Sequence, residues 1–186
     1  MAASSAIPGL FFCFCAMTLL IFASVAVPTW NAISFLNIGP NGGTLKYGIF
    51  GFTGSSTSVG YFFSNEHVNS GVLHNLTKTL ILHPIAAGLS GFAFFFGLIG
   101  AAYHRVGTVL MTLTAGLALL TTFVVWIIDM VLFGIARQRY RNDGDIAQYG
   151  NGNWLTLAAL FALLLGFCTS ACGIFGHYRR RRDVAY

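Results

Sequence analysis

An aspartate, Asp129, stands near the end of a long apolar run, eight residues before Arg137 and ten before Arg139. A carboxylate at the mouth of a membrane helix needs a partner, because hydrocarbon solvates charge poorly. The basic cluster that follows is one candidate, and a polar group on a neighbouring helix is the other. His83, at the start of another apolar run, is such a group. Two chemistries are open to these residues: a structural salt bridge or polar cap, and a proton path. Counted from Arg105, Asp129 lies roughly 36 Å along an untilted helix, near the headgroup edge and not the midplane. That depth favours the structural corner of Asp129, His83, Arg137 and Arg139.

The other reactive residues are four cysteines, Cys13, Cys15, Cys168 and Cys172, all inside apolar runs. Near a reducing compartment they are not expected to form a stable disulfide. They read as buried small hydrophobes, with S-palmitoylation the functional alternative. His67, His74, His83, His104 and His177 show no metal-ligand spacing. No nucleophile elbow or phosphate-binding glycine loop occurs, and Glu66, Asp143, Asp145 and Asp183 are too scattered to form a catalytic pair. No catalytic residue, metal or cofactor is expected.

The elements that position these groups follow from composition. Of 186 residues, 56% are hydrophobic and only 8% charged, whereas a soluble domain carries about 25% charged residues. Apolar runs at 8–27, 80–103, 106–135 and 154–175 each suit a hydrocarbon core about 30 Å thick. The chain is therefore expected to be a single tetraspan domain: a membrane all-α four-helix bundle with one long loop, residues 29–79. The first run is expected to persist as a helix and not to be cleaved as a signal peptide, since no Lys or Arg precedes it.

Contiguous Arg179, Arg180, Arg181 and Arg182 after the fourth run favour two cytoplasmic termini. Each should gain on the order of 1 kcal/mol from anionic lipid headgroups. The net charge of +5 mostly reflects these flanks and gives no reason to expect nucleic acid.

Inside the long loop, residues 37–43 form a turn cluster, and 44–52 alternate like a strand. Residues 59–63 are expected to return as a second strand, giving a small extracellular sheet over the bundle. Asn75 heads a glycosylation sequon close to the second span. Ala87, Gly91, Gly97 and Ala101 in that span, and Gly166 and Ser170 in the fourth, are small residues at helical spacing that let helices approach closely. The region after Asp129 reads as a helix end, an arginine-studded loop, a Gly/Asn turn and a helix opened by Trp154.

Three stretches carry a family resemblance: Val27-Pro28-Thr29-Trp30; Tyr47-Gly48-Ile49-Phe50-Gly51-Phe52; and Ile128-Asp129-Met130-Val131-Leu132-Phe133 running through Ala136-Arg137 to Asn153-Trp154-Leu155-Thr156-Leu157. In order and spacing the chain resembles the fungal PalI pH-response regulators, within the Sur/PalI group of claudin-like tetraspan proteins. Trp30 with Gly48, Ile49 and Phe50 resembles the claudin first-loop motif. The claudin loop cysteines are missing, with Thr53, Gly54 and Ser64 in that region, so the sheet must be held without a disulfide.

The resemblance implies a non-enzymatic plasma-membrane accessory or scaffold. Its partner would be a larger membrane protein, either an ambient-pH sensor or a wall synthase. Organisation of membrane domains for wall synthesis, and a homo-oligomeric pore or transporter lined by Asp129 and His83, are the alternatives. Candidate contacts are the second span and the aromatic loop.

Overall fold

The computed structural model describes residues 7–39, 45–64, 70–102 and 105–182, with the side chains of 102, 105 and 173–182 outside the description. Helices α1 (Ile7–Ser24), α3 (Leu82–Ala102), α4 (Arg105–Asn142) and α5 (Gly152–Arg182) form the bundle, and α2 (Gly71–Thr79) is a short helix ahead of α3. Among the described residues, four segments are long and apolar enough to cross a membrane. The chain is a multi-pass membrane protein. Around the bundle, α1 packs on α3 and α5, and α4 packs on the same two, so α1 and α4 sit on opposite corners.

Lipid offers the backbone no alternative partner, so helical hydroxyls must be satisfied within their own helix. The hydroxyls of Thr112, Thr121 and Thr122 donate to the carbonyls of Thr108, Leu117 and Ala118, one turn back. Thr18 and Ser170 do the same with Phe14 and Gly166. These polar side chains therefore add no unpaired groups to the spans.

The small residues do what their spacing predicts, but inside one chain. Gly91 faces Met17 of α1, and Gly97 faces Leu10 of α1 and Met111 of α4. Gly166 packs on Phe12 and Cys13, and the Ser170 hydroxyl sits against Gly9. Ala87 is buried and Ala101 half-buried.

Several boundaries differ from the sequence expectation: α1 stops at Ser24 and not at 27, and α5 runs from Gly152 to Arg182 and not from 154 to 175. The third span does not end near residue 135: α4 continues to Asn142, so Arg137, Arg139 and Arg141 ride on a helix and not in a loop. Good helix formers and a buried stripe of Leu132, Phe133, Ala136 and Tyr140, packed into the cap core, carry it on to Asn142. The loop before the second span also contains α2, capped by Ser70, whose hydroxyl accepts from the Leu73 amide at 3.4 Å.

Above the bundle lies a three-stranded antiparallel sheet in the order β2–β1–β3, with β1 at Leu36–Ile38, β2 at Leu45–Tyr47 and β3 at Ala147–Tyr149. Leu36 is opposite Tyr47 on one side and Tyr149 on the other. The third strand comes from the loop between α4 and α5, and the expected strand at 59–63 does not form. Tyr61 and Phe63 are buried there and Phe62 exposed, but the segment is held by side-chain bonds and not by a ladder. Asn37 and Ile38, expected in a turn, belong to β1, and residues 40–43 of that turn lie outside the described residues.

The cap has its own apolar core of Phe35, Leu36, Tyr47, Ile49, Tyr61, Phe63, Leu132, Phe133 and Tyr140, distinct from two smaller clusters between the spans.

Candidate functional site

The joint between cap and bundle is where the polar residues gather. Asp129 on α4 and His83 on α3 are both fully buried, and His83 Nε2 lies 3.1 Å from Asp129 Oδ2. His83 Nδ1 lies 3.1 Å from the Leu80 carbonyl. A carbonyl only accepts, so Nδ1 carries a hydrogen, and a second proton lies between Nε2 and Oδ2. Whether that proton sits on nitrogen or oxygen, the pair as a whole is neutral, which is what a dry interior tolerates. Phe35 closes the site, its ring edge-on to His83 at 5.5 Å and stacked on Phe133 at 5.4 Å. Asp129 Oδ1 has no hydrogen-bond partner among the described residues.

The arginines are elsewhere. Eight residues of helix, about 12 Å, separate Arg137 from Asp129, and Arg139 is farther still. Arg137 instead clasps the sheet: its Nε donates to the Ala147 carbonyl at 3.2 Å, and its guanidinium lies 4.9 Å above the Tyr149 ring. The four-residue corner thus resolves into an inner His83–Asp129 pair and an outer Arg137 clasp.

The loop motif locks onto the end of α1. Gly48 lies against the Val27 backbone, where a Cβ would collide with the Val27 carbonyl oxygen, so only glycine fits. Beside it the Val27–Pro28 peptide is cis. The Gly48 amide donates to the Gly51 carbonyl at 2.8 Å, Ile49 is buried, and Phe50 is half-buried against the cap core. Trp30 is half-exposed, its ring 5.8 Å from Phe22.

With no cysteine in the described part of the cap, a hydroxyl cluster ties its layers. Tyr47 Oη is 2.7 Å from Tyr140 Oη on α4 and 2.8 Å from Ser64 Oγ. Tyr61 donates to the Gly48 carbonyl at 2.8 Å, and Thr77 of α2 donates to the Tyr61 carbonyl at 3.0 Å. Burial pushes the Tyr61 phenol well above its ordinary value of 10.0, and neighbouring Tyr47 adds to the shift. Of this cluster, motif reading quotes Tyr47 in the loop motif and misses the bonding roles of Tyr61, Ser64 and, on α4, Tyr140.

A second lock comes from the Gly/Asn turn. Asn151 accepts from the Ser34 amide at 3.0 Å and donates to the Ala32 carbonyl at 2.9 Å, while Asn153 donates to the Phe35 carbonyl at 2.9 Å. Gly152 packs against the Phe35 ring, whose nearest carbon is 2.6 Å from where a Cβ on residue 152 would stand. Residues 150–153 thus hold the segment that carries β1.

Asn75 is exposed on α2, and the Thr77 hydroxyl of the same sequon is buried. Cys13 is buried, Cys15 half-buried, and Cys168 and Cys172 are exposed on the bundle surface. Among the described residues no group of three potential ligands could hold a metal. The side chains of Arg179, Arg180, Arg181 and Arg182 lie outside the description, as do Glu66, His67 and His104.

A four-helix membrane bundle roofed by a small antiparallel sheet is the claudin-like tetraspan architecture. A model of the SUR7/PalI family matches residues 5–168, most of the chain, and the protein belongs to that family. No curated protein matches the chain.

Proposed function

We propose that this protein is a non-enzymatic accessory of the plasma membrane that stabilises or positions a larger membrane protein, with both termini cytoplasmic and the cap outside. The observation that carries the reading is membership of the SUR7/PalI family over residues 5–168. The geometry supports it: His83 pairs with Asp129 and Arg137 with the sheet inside the monomer, and the surface presents large apolar side chains. Phe92 and Phe95 project from the outward face of α3, and Phe62, Val59 and Val72 from the cap. Gly91 packs on α1, and Gly97 on α1 and α4, so these close-approach positions are occupied and a partner helix would meet the phenylalanine face. Within the family, ambient-pH signalling and organisation of wall-synthesis domains are the two settings that fit such a role.

An oligomeric pore is disfavoured by one feature. Asp129 and His83 are fully buried between α3 and α4, under Phe35, and reach no surface on which a second copy could build a path.

Purification from native membranes in mild detergent, followed by mass spectrometry, tests the proposal. A stoichiometric larger membrane protein is the expected result, and its identity separates pH signalling from wall synthesis. Recovery of this chain alone, as a defined ring or dimer, overturns it.

A further inference from the structure

An open groove of about 800 Å³ runs along α4 beside β3. Its floor changes character along the helix. Met130, Val131 and Gly134 are apolar, and Arg137, Gln138 and Arg141, one to two turns further on, are polar or basic. Tyr149 forms one wall, its hydroxyl 3.3 Å from where a Gly134 Cβ would stand. No acidic side chain lines the groove among the described residues.

The level of the groove in the membrane follows from packing. Phe167 of α5 meets Gly116 of α4. Thirteen residues from each, the antiparallel helices bring exposed Trp154 to the height of Asp129. Tryptophan marks the headgroup level, so the groove opens at the membrane surface on the cap side. Below it, exposed Ile127 and Val124 continue the apolar track into the hydrocarbon. Arginine side chains on α4 lean toward the helix N-terminus, which here means back toward the headgroups.

We propose that this groove seats the headgroup of an anionic phospholipid from the cap-side leaflet. The phosphate would lie between Arg137 and Arg141, with an acyl chain on Val131, Ile127 and Val124. Arg137 is suited to the task because its Nε bond to the Ala147 carbonyl and its stacking over Tyr149 fix the guanidinium. Its terminal N–H groups are then presented to an oxyanion without further ordering. The gradient selects a lipid over an acidic polypeptide, which would have no use for the apolar track below the arginines.

The test uses the full chain in detergent, with phosphatidylglycerol, phosphatidylcholine or inorganic phosphate added, read by native mass spectrometry and by thermal midpoint. The wild type should retain phosphatidylglycerol and rise in midpoint with its concentration. Arg141→Gln, an exposed change that leaves the Arg137 clasp intact, should weaken this by about tenfold. Val131→Trp, which fills the track without altering charge, should weaken it as well. Equal retention of phosphatidylcholine, displacement by inorganic phosphate, or unchanged binding in both variants would each overturn the proposal.

Discussion

His83 Nε2 and Asp129 Oδ2 meet at 3.1 Å with neither side chain exposed, and this contact ties α3 to α4 directly beneath the cap. Because Nδ1 is committed to the Leu80 carbonyl, the pair has one arrangement of partners. Removing either member strands the other in a dry interior.

Asp129→Leu and His83→Leu should therefore each destabilise the protein by about 3–5 kcal/mol, as breaking buried pairs does. The double variant should recover most of that loss, because two apolar side chains leave no stranded charge. Denaturant unfolding in detergent, run as a double-mutant cycle, measures the coupling. Additive losses would mean that the pair does not act as a unit.

The Tyr61 phenol sets an alkaline limit on the cap. Its folded pKa is raised above 10.0 by burial, so above pH 10 the unfolded chain releases a proton that the folded cap retains. The stability it contributes is complete below pH 10 and declines as pH rises toward the folded value. Absorbance of phenolate against pH should show one tyrosine titrating late, together with unfolding. Its disappearance in Tyr61→Phe assigns it.

Gly48→Ala should cost about 1–3 kcal/mol, since its Cβ must displace the Val27 backbone and not a flexible side-chain end. Gly88→Ala on α3, where a Cβ meets nothing, should be neutral or stabilising. Hydrogen exchange in the cap, compared between the two variants, should show faster opening only in the first.

Arg137→Ala should loosen β3 by about 1–2 kcal/mol through loss of its hydrogen bond and its stacking on Tyr149. Lysine should not rescue it, because an ammonium lacks the planar fork that serves both contacts. Protease cleavage between α4 and β3 is the readout, and resistance equal to wild type would refute the clasp.

The spans were legible because hydrocarbon demands long apolar runs, and no other part of the chain supplies them. The small-residue pairs were legible for the same reason, since 3.6 periodicity places Gly91 and Gly97 on packing faces. The need to pair a carboxylate at the membrane left two candidate partners for Asp129, the arginine cluster and a polar group on a neighbouring helix, and did not choose between them. Choosing it required knowing that α4 stays helical to Asn142, which turns the arginines away from the acid. The sheet was half-legible. The alternation around Tyr47 marked β2, but β3 pairs with β1 across more than a hundred residues, and no local pattern in a three-residue strand announces a partner so distant. The hydroxyl cluster was invisible as a motif because tyrosine hydroxyls find one another only after packing.

The route of β3 has a consequence for biogenesis. β1 emerges early in synthesis, yet one of its two edges is filled only when the connection between α4 and α5 has reached the same side of the membrane. Until then that edge offers unpaired amides to any passing strand. Completion of the sheet thus reports that the last two helices have inserted with the correct orientation. A nascent chain halted before Ala147 would display a recognisable unfinished edge, which is the kind of surface that chaperones and quality-control proteases engage.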